Sequence, residues 1–344
     1  MVLFRRRRIL KAWLLASLAL VCSPWGLGLT GAQADGPSQV GVLKYPDGGY
    51  HYIVNGREQV FIGMGYNPIY RALPDATRAT NYARDFKLLC QAGVNHITGW
   101  DYDKGFQQDQ FDELTLNSAD RFGIGVIMPF YLPPDGNYDD PTFVEYLLLT
   151  ARAKVERFKN HPALRMWGLG NEVLSAMPPD MYPAFGDTYL ALADEIHALD
   201  PNHPVIYREA EDEFVPVFSD WLRQSGDMRP WLLYGMNIYS DRIDSLLSSW
   251  PDNGLDRPAL VSEFGADASG PNARAQGYGD MWREIRTYSR WVIGGAPYVW
   301  STDGPEPTDK KWGLMSAAAT PIDGTFALLG QLWRREQTAN GPKC

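Results

Sequence analysis

The sequence has little of what staples small folds or binds metals. It holds three cysteines and five histidines in 344 residues, and the histidines show no zinc-site spacing. There is no Gly-x-Ser-x-Gly elbow for a serine hydrolase and no phosphate loop. No low-complexity linker, internal repeat or second domain is visible. Basic residues are also scarce: 32 Lys and Arg against 41 Asp and Glu give a net charge of −9. That excess of negative charge argues against nucleic acid and anionic membranes as partners. No metal site and no cofactor is implied.

The longest apolar run, residues 12–22, is stopped by Ser23 and Pro24, well short of the ~20 residues a membrane-spanning helix needs. It follows a basic end, Arg5 to Arg8 with Lys11, and precedes a small-x-small site at Ala32-Gln33-Ala34. Residues 1–34 therefore read as an export signal, and the expected location is secreted or periplasmic. The run from Arg6 to Lys11 also resembles a twin-arginine signal. Cleavage would remove five basic residues and no acidic ones, moving the net charge from −9 to −14. Residues 35–344 suffice for one large barrel, since such barrels take ~250 residues. Oligomeric state is not legible.

From residue 60 onward, short apolar runs alternate with amphipathic ones. The spacing predicts strands at 60–66, 94–100, 124–130, 163–169, 205–208, 232–238, 259–264 and 296–300. Helices are predicted at 79–92, 107–122, 141–159, 180–199, 214–224, 242–249, 276–290 and 325–335. Asp140-Pro141 reads as an N-cap with proline in the first turn. Phe185, Tyr189, Leu192, Ile196 and Leu199 mark one buried helix face. Eight such units predict an α/β fold, a (β/α)8 TIM barrel. Residues 35–59, with turns at Pro46-Asp47-Gly48-Gly49 and Asn55-Gly56, predict a small β-hairpin against the barrel floor. Barrel closure would bring the helical regions near Cys90 and Cys344 together and permit one disulfide. Cys90 after Leu88 and Leu89 reads rather as core.

Two of the predicted strands end in glutamate. Trp167-Gly168-Leu169-Gly170-Asn171-Glu172-Val173 closes the fourth, and Pro258-Ala259-Leu260-Val261-Ser262-Glu263-Phe264-Gly265 the seventh. In a barrel both would face the carboxyl-terminal mouth, where active sites lie. Glycosidic bond cleavage requires such a pair, one carboxyl as acid and one as nucleophile or base. These two segments resemble the acid/base and nucleophile segments of the clan A retaining glycoside hydrolases. The likeness is to the family-two barrel domain and to single-barrel families such as family five and the glucanosyltransferases.

The resemblance implies a retaining glycosidase in which Glu263 is the nucleophile and Glu172 the acid/base. It implies further that Asn171 binds the sugar hydroxyl next to the reacting carbon, and that Asn237 and Tyr239, an Asn-x-Tyr pair, lie beside the nucleophile. Trp300, ending the eighth strand, resembles the tryptophan that floors the reacting subsite. Trp100, Asp101 and Tyr66, with Tyr102, Asp103, Asn67 and Pro68 beside them, are placed at the mouth by location alone. Trp167 reads as core, and Glu209, Glu211, Asp212 and Glu213 as a solvated acidic loop.

The expected substrate is a β-linked oligo- or polysaccharide of the β-glucan or β-mannan class, with transglycosylation through the same glutamates as the nearest alternative. One departure stands out: Thr98 occupies the place where many clan A enzymes carry a supporting arginine. Arg208 is the candidate replacement, and a carbohydrate-binding barrel without catalysis is the alternative. A nucleotide-binding reading of Gly168-x-Gly170-x-x-Val173 fails because Val173 is not small and Glu172 would face the pyrophosphate.

Overall fold

The alternation from residue 60 onward closes into a barrel in the computed structural model, which describes residues 36–101, 110–267, 270–336 and 344. Contacts divide the chain into Met1–Gln33 and Ala34–Cys344, and only the second contains described residues. The expected export signal, Tyr102, Asp103 and the start of the predicted second helix lie outside the described residues.

Strands β1 (Val40–Lys44), β2 (Tyr50–Val54) and β3 (Arg57–Glu58) form an antiparallel sheet in that order. Asn55 and Gly56 turn β2 into β3 with φ of 51° and 73°, the positive pair that a two-residue hairpin requires. Tyr52 and Val54 of this sheet pack on Phe61, Ile127, Met166, Ile206, Leu233 and Leu260 of the barrel strands, so the sheet covers one end of the barrel. Ser38 anchors the segment before it, donating to the Leu164 carbonyl and lying 2.8 Å from His203 Nε2. His203 Nδ1 in turn lies 2.7 Å from an Asp200 oxygen. All three side chains are buried, so this Ser-His-Asp chain is a structural tie with no access for a substrate.

The barrel strands are β4 (Phe61–Ile62), β5 (His96–Thr98), β6 (Gly125–Phe130), β7 (Leu164–Leu169), β8 (Val205–Ala210), β9 (Leu232–Ile238), β10 (Ala259–Phe264) and β11 (Val292–Pro297). They form one sheet of eight in the order β4-β11-β10-β9-β8-β7-β6-β5, with each strand parallel to its neighbours. The gap between β4 and β5 is bridged by Gly65 with Thr98 and by the Met64, Thr98 and Tyr66 amides. The expected TIM barrel is therefore the observed fold.

The helices are α1 (Asp75–Ala92), α2 (Glu113–Asp120), α3 (Pro141–Phe158), α4 (Val173–Ala176), α5 (Tyr182–Leu199), α6 (Val215–Ser225), α7 (Ile243–Ser248), α8 (Pro271–Thr287), α9 (Asp309–Trp312) and α10 (Thr325–Glu336). Asp140 caps α3 through a 2.9 Å bond from the Thr142 amide, with Pro141 in the first turn. The side of α5 carrying Phe185, Tyr189, Leu192 and Ile196 is buried, as its spacing predicts.

Two expectations are corrected. The last strand runs Val292–Pro297, not 296–300. Gly294 and Gly295 lie inside the strand, paired with Phe61 and Ile62 of β4. Gly294 has φ of 141°, and a Cβ there would collide with the Phe61 carbonyl. The second correction concerns Cys90, which is buried but bonded to Cys344 with Cα atoms 5.8 Å apart. The sequence separation of 254 residues makes this closure span most of the barrel.

Closing so long a loop restricts the unfolded chain strongly. Cys90→Ser should lower the unfolding free energy by about 2–4 kcal/mol in a denaturant titration, and a reducing agent should do the same to the unmodified protein. An unchanged midpoint in both would show that the bridge contributes nothing to stability.

Candidate active site

At the carboxyl end of β7 the backbone turns through two left-handed residues, Gly170 at φ 77° and Glu172 at φ 49°. For glutamate that conformation costs ~1–3 kcal/mol. It is held by the Glu172 amide, which donates to the Arg208 carbonyl at 2.9 Å. Glu172 stands at the N-cap of α4, yet its side chain caps nothing there. Its carboxylate instead accepts from Asn237 Nδ2 at 2.8 Å. Ser262 fixes that amide by donating to Asn237 Oδ1 at 2.7 Å, which leaves the NH2 group facing Glu172 and, at 3.3 Å, Asn171.

Glu263 lies near the end of β10 and is buried. Trp100 Nε1 donates to one of its oxygens at 2.8 Å and the Tyr239 hydroxyl to the other at 2.6 Å. Burial, reinforced by the neighbouring Glu172 charge, pushes its pKa up to about 7 against the downward pull of Tyr239, Arg208 and Trp100. Burial and the Glu263 carboxylate hold the Tyr239 hydroxyl well above its ordinary range, so it remains a neutral donor.

Arg208 points into the barrel from β8. Its Nη1 donates to Thr98 Oγ1 and to the Gly99 carbonyl, both at 2.9 Å. Gly168 and Gly235 on the flanking strands leave the room: a Cβ on either would meet the guanidinium or its stem within 3.4 Å. The guanidinium therefore reaches the very threonine that stands where an arginine was expected.

The mouth is a cavity of about 510 Å³ lined from nearly every strand end. Of the expected residues, Asn171, Glu172, Glu263, Tyr239, Trp100 and Asp101 line it; Asn237 sits just beneath. Asp101 is already committed, accepting from Lys154 Nζ at 2.8 Å and from the Gln110 amide at 3.1 Å. Tyr66 and Trp300 are corrections. Both are buried in the core; Tyr66 packs toward Trp300 and donates to Asp85 at 2.8 Å. Asn67 is buried too, exchanging hydrogen bonds with the Ser301 backbone.

The displaced strand end puts Tyr298 on the mouth in place of Trp300. Trp312 joins it from the end of α9, its ring 5.2 Å from Tyr239. Tyr131 and Leu132 line the wall after β6. Neither Tyr298 nor Trp312 was expected, although an aromatic next to a glycine-rich strand was the available signal for the first.

Glu209 also departs from expectation. It is buried, not solvated, and burial followed by repulsion from Glu172 raises its pKa to about 7. Glu211 and Asp212 pair with Arg242 at the surface, as a solvated loop would. Trp167 is core, donating to Asp200 at 2.8 Å. Among the described residues no group of three His, Cys, Asp or Glu side chains could hold a metal.

The family model described as glycosyl hydrolases family 2, TIM barrel domain, matches residues 50–295. A β-glucuronidase of Bacteroides fragilis is 24% identical over 301 residues, 79% of this chain and 39% of its own length. A β-galactosidase of Alteromonas mediterranea is 22% identical over 270 residues, 73% of this chain and 22% of its own. In fold, the GH2 β-galacturonidase of Eisenbergiella tayi bound to galacturonate superposes with a TM-score of 0.65 at 18% identity, covering 88% of this chain and 55% of that one. The chain thus spans less than half the length of these sequence relatives.

The electrostatics predict two glutamates that titrate near neutrality. Carbon-13 carboxyl shifts of glutamate-labelled protein should show both near pH 7, with one signal lost in Glu263→Gln and the other in Glu209→Gln. Tyr239→Phe removes a donor to the carboxylate and should move the Glu263 titration upward; a downward move would contradict the assignment.

Proposed function

The chain belongs to glycosyl hydrolase family 2, and on that premise we propose that it hydrolyses β-glycosidic bonds with retention of configuration. The observation that carries this reading is the asymmetry of the two carboxyl groups at one mouth. Glu263 is gripped by two fixed donors, which favour its ionised form and aim it as a nucleophile. Glu172 accepts from a single amide and is only half-buried, open to a leaving oxygen in the mouth.

In the first step Glu263 attacks the anomeric carbon and forms an ester. The glycosidic carbon–oxygen bond breaks as Glu172 passes its proton to the leaving oxygen. In the second step Glu172 takes a proton from water, the water oxygen bonds to the anomeric carbon, and the ester bond to Glu263 breaks. Asn171 contacts the neighbouring sugar hydroxyl, a bond that strengthens as positive charge develops on the ring. Asn237, oriented by Ser262, steadies Glu172. Arg208 supplies the positive charge near Glu263 that Thr98 cannot.

The substrate we propose is neutral, a β-linked oligo- or polysaccharide of the glucan or mannan class. Trp100, Tyr298 and Trp312 offer ring faces for sugar C–H surfaces. Among the described lining residues Arg208 is the sole cation, and its guanidinium already serves Thr98 and Gly99. A uronic acid, which the names of the glucuronidase and galacturonidase relatives point to, would bring a carboxylate beside Glu172, Glu263 and Glu306. The basic, apolar and small-x-small order of residues 1–34, together with a disulfide, supports export to an oxidising compartment as part of this reading.

A panel of 4-nitrophenyl β-glycosides should show turnover of the glucoside or mannoside above the glucuronide and galacturonide; preference for a uronide would reverse the substrate assignment. A 2-deoxy-2-fluoro glycoside of the accepted sugar should label Glu263, and the label on another residue would sink the mechanism. Glu172→Ala should lose about 10²–10⁴-fold in rate on unactivated substrates and recover with azide. Arg208→Met should lower kcat/KM by about 10²-fold through a misplaced nucleophile; an unchanged rate would remove Arg208 from this account.

A further inference from the structure

Glu209 is a third carboxylate at the same strand ends, buried and outside the reaction just described. It follows Arg208 on β8, so its side chain leaves the opposite face of the sheet and lies under α4. There it accepts three hydrogen bonds. The Leu174 amide donates to Oε2 at 2.9 Å and the Tyr207 hydroxyl to the same oxygen at 2.7 Å, while the Ala210 amide donates to Oε1 at 3.0 Å. Burial of a carboxylate here is costly, as its pKa near 7 records, so the bonds it makes must hold something in place.

What they hold is the helix start that begins with Glu172. The first amides of a helix have no partner within it, and the N-cap side chain ordinarily takes one of them. Glu172 is that N-cap residue, and its carboxylate is turned away to Asn237. The Leu174 amide, two residues into the helix, is taken by Glu209 instead. We propose that Glu209 is a positioning residue that caps α4 in place of Glu172 and so keeps the Glu172 carboxylate in the mouth. With Glu209 gone, the Leu174 amide would need another acceptor, and the side chain that ordinarily takes such an amide is that of the N-cap residue, Glu172. Capping its own helix would withdraw it from the leaving oxygen. This rests on the reading of Glu172 as acid/base.

Glu209→Gln tests it, because one amide oxygen cannot serve both the Leu174 and Ala210 amides. The probes are the phenyl and 2,4-dinitrophenyl β-glycosides of the hexose the unmodified protein accepts. Dinitrophenolate leaves without a proton and phenolate does not. The variant should lose about 10²-fold on the phenyl glycoside, keep its dinitrophenolate burst at one per molecule, and turn over faster with azide. Tyr207→Phe, which removes only a hydroxyl on the same carboxylate, should show the same selectivity with a smaller loss. The burst reports an intact fold and nucleophile in either variant. Equal losses on both probes, or none, would overturn the inference while Glu172→Ala still showed the selective loss. Absence of the selective loss in Glu172→Ala as well, or an unmodified protein inactive on every glycoside, would instead remove the acid/base reading and this inference with it.

Discussion

The structure turns on a carboxylate inside a barrel wall. Glu263 is held by Trp100 from the end of β5 and Tyr239 from the end of β9, so two hydrogen bonds tie together strands from opposite sides of the sheet order. Such a group is stable only if its remaining charge is met nearby. The positive Arg208 and the two donors meet part of it, and the adjacent Glu172 opposes them. The balance leaves Glu263 poised near neutral pH, where a small change in surroundings shifts its protonation.

That balance constrains side chains that touch no substrate. Arg208 lies where it does because Gly168 and Gly235 have no Cβ, and Ser262 occupies the space beside Gly235 while orienting Asn237. The glycines, the arginine, the serine and the asparagine form one packed unit between the two glutamates. A cation carried on a different strand, Arg208, reaches Thr98 and draws the pKa of Glu263 downward.

Much of this was legible in the chain. Apolar runs ending in Gly170-Asn171-Glu172 and in Glu263-Phe264-Gly265 mark strand ends, and alternation of strand and helix places such ends on one face. What was not legible came from glycine and from burial. The last strand runs through Gly294 and Gly295, and at Gly294 the close approach of β4 leaves no room for a Cβ. The strand end moves back, and Tyr298 takes the place expected for Trp300. Glu209 sits in a run of acids that reads as solvated, since nothing local shows that α4 will cover it. Cys90 reads as core for the same reason, its partner being 254 residues away.

The two supports, Arg208, which was expected, and Glu209, which was not, are neighbours on β8, and that adjacency sets a limit on how this site can vary. Successive side chains of a strand face opposite ways, so one points to the nucleophile inside the barrel and the other to the helix that bears Glu172. A slip of one residue would exchange them, burying the guanidinium under α4 and driving a carboxylate toward Glu263. The pairing of β8 with β9 is accordingly continuous over six residues, from Val205 with Leu232 to Ala210 with Asn237. The pairings of β10 with both its neighbours carry irregularities. An error of register on β8 would disturb the surroundings of both glutamates at once, because its adjacent residues of opposite charge reach toward one and the other.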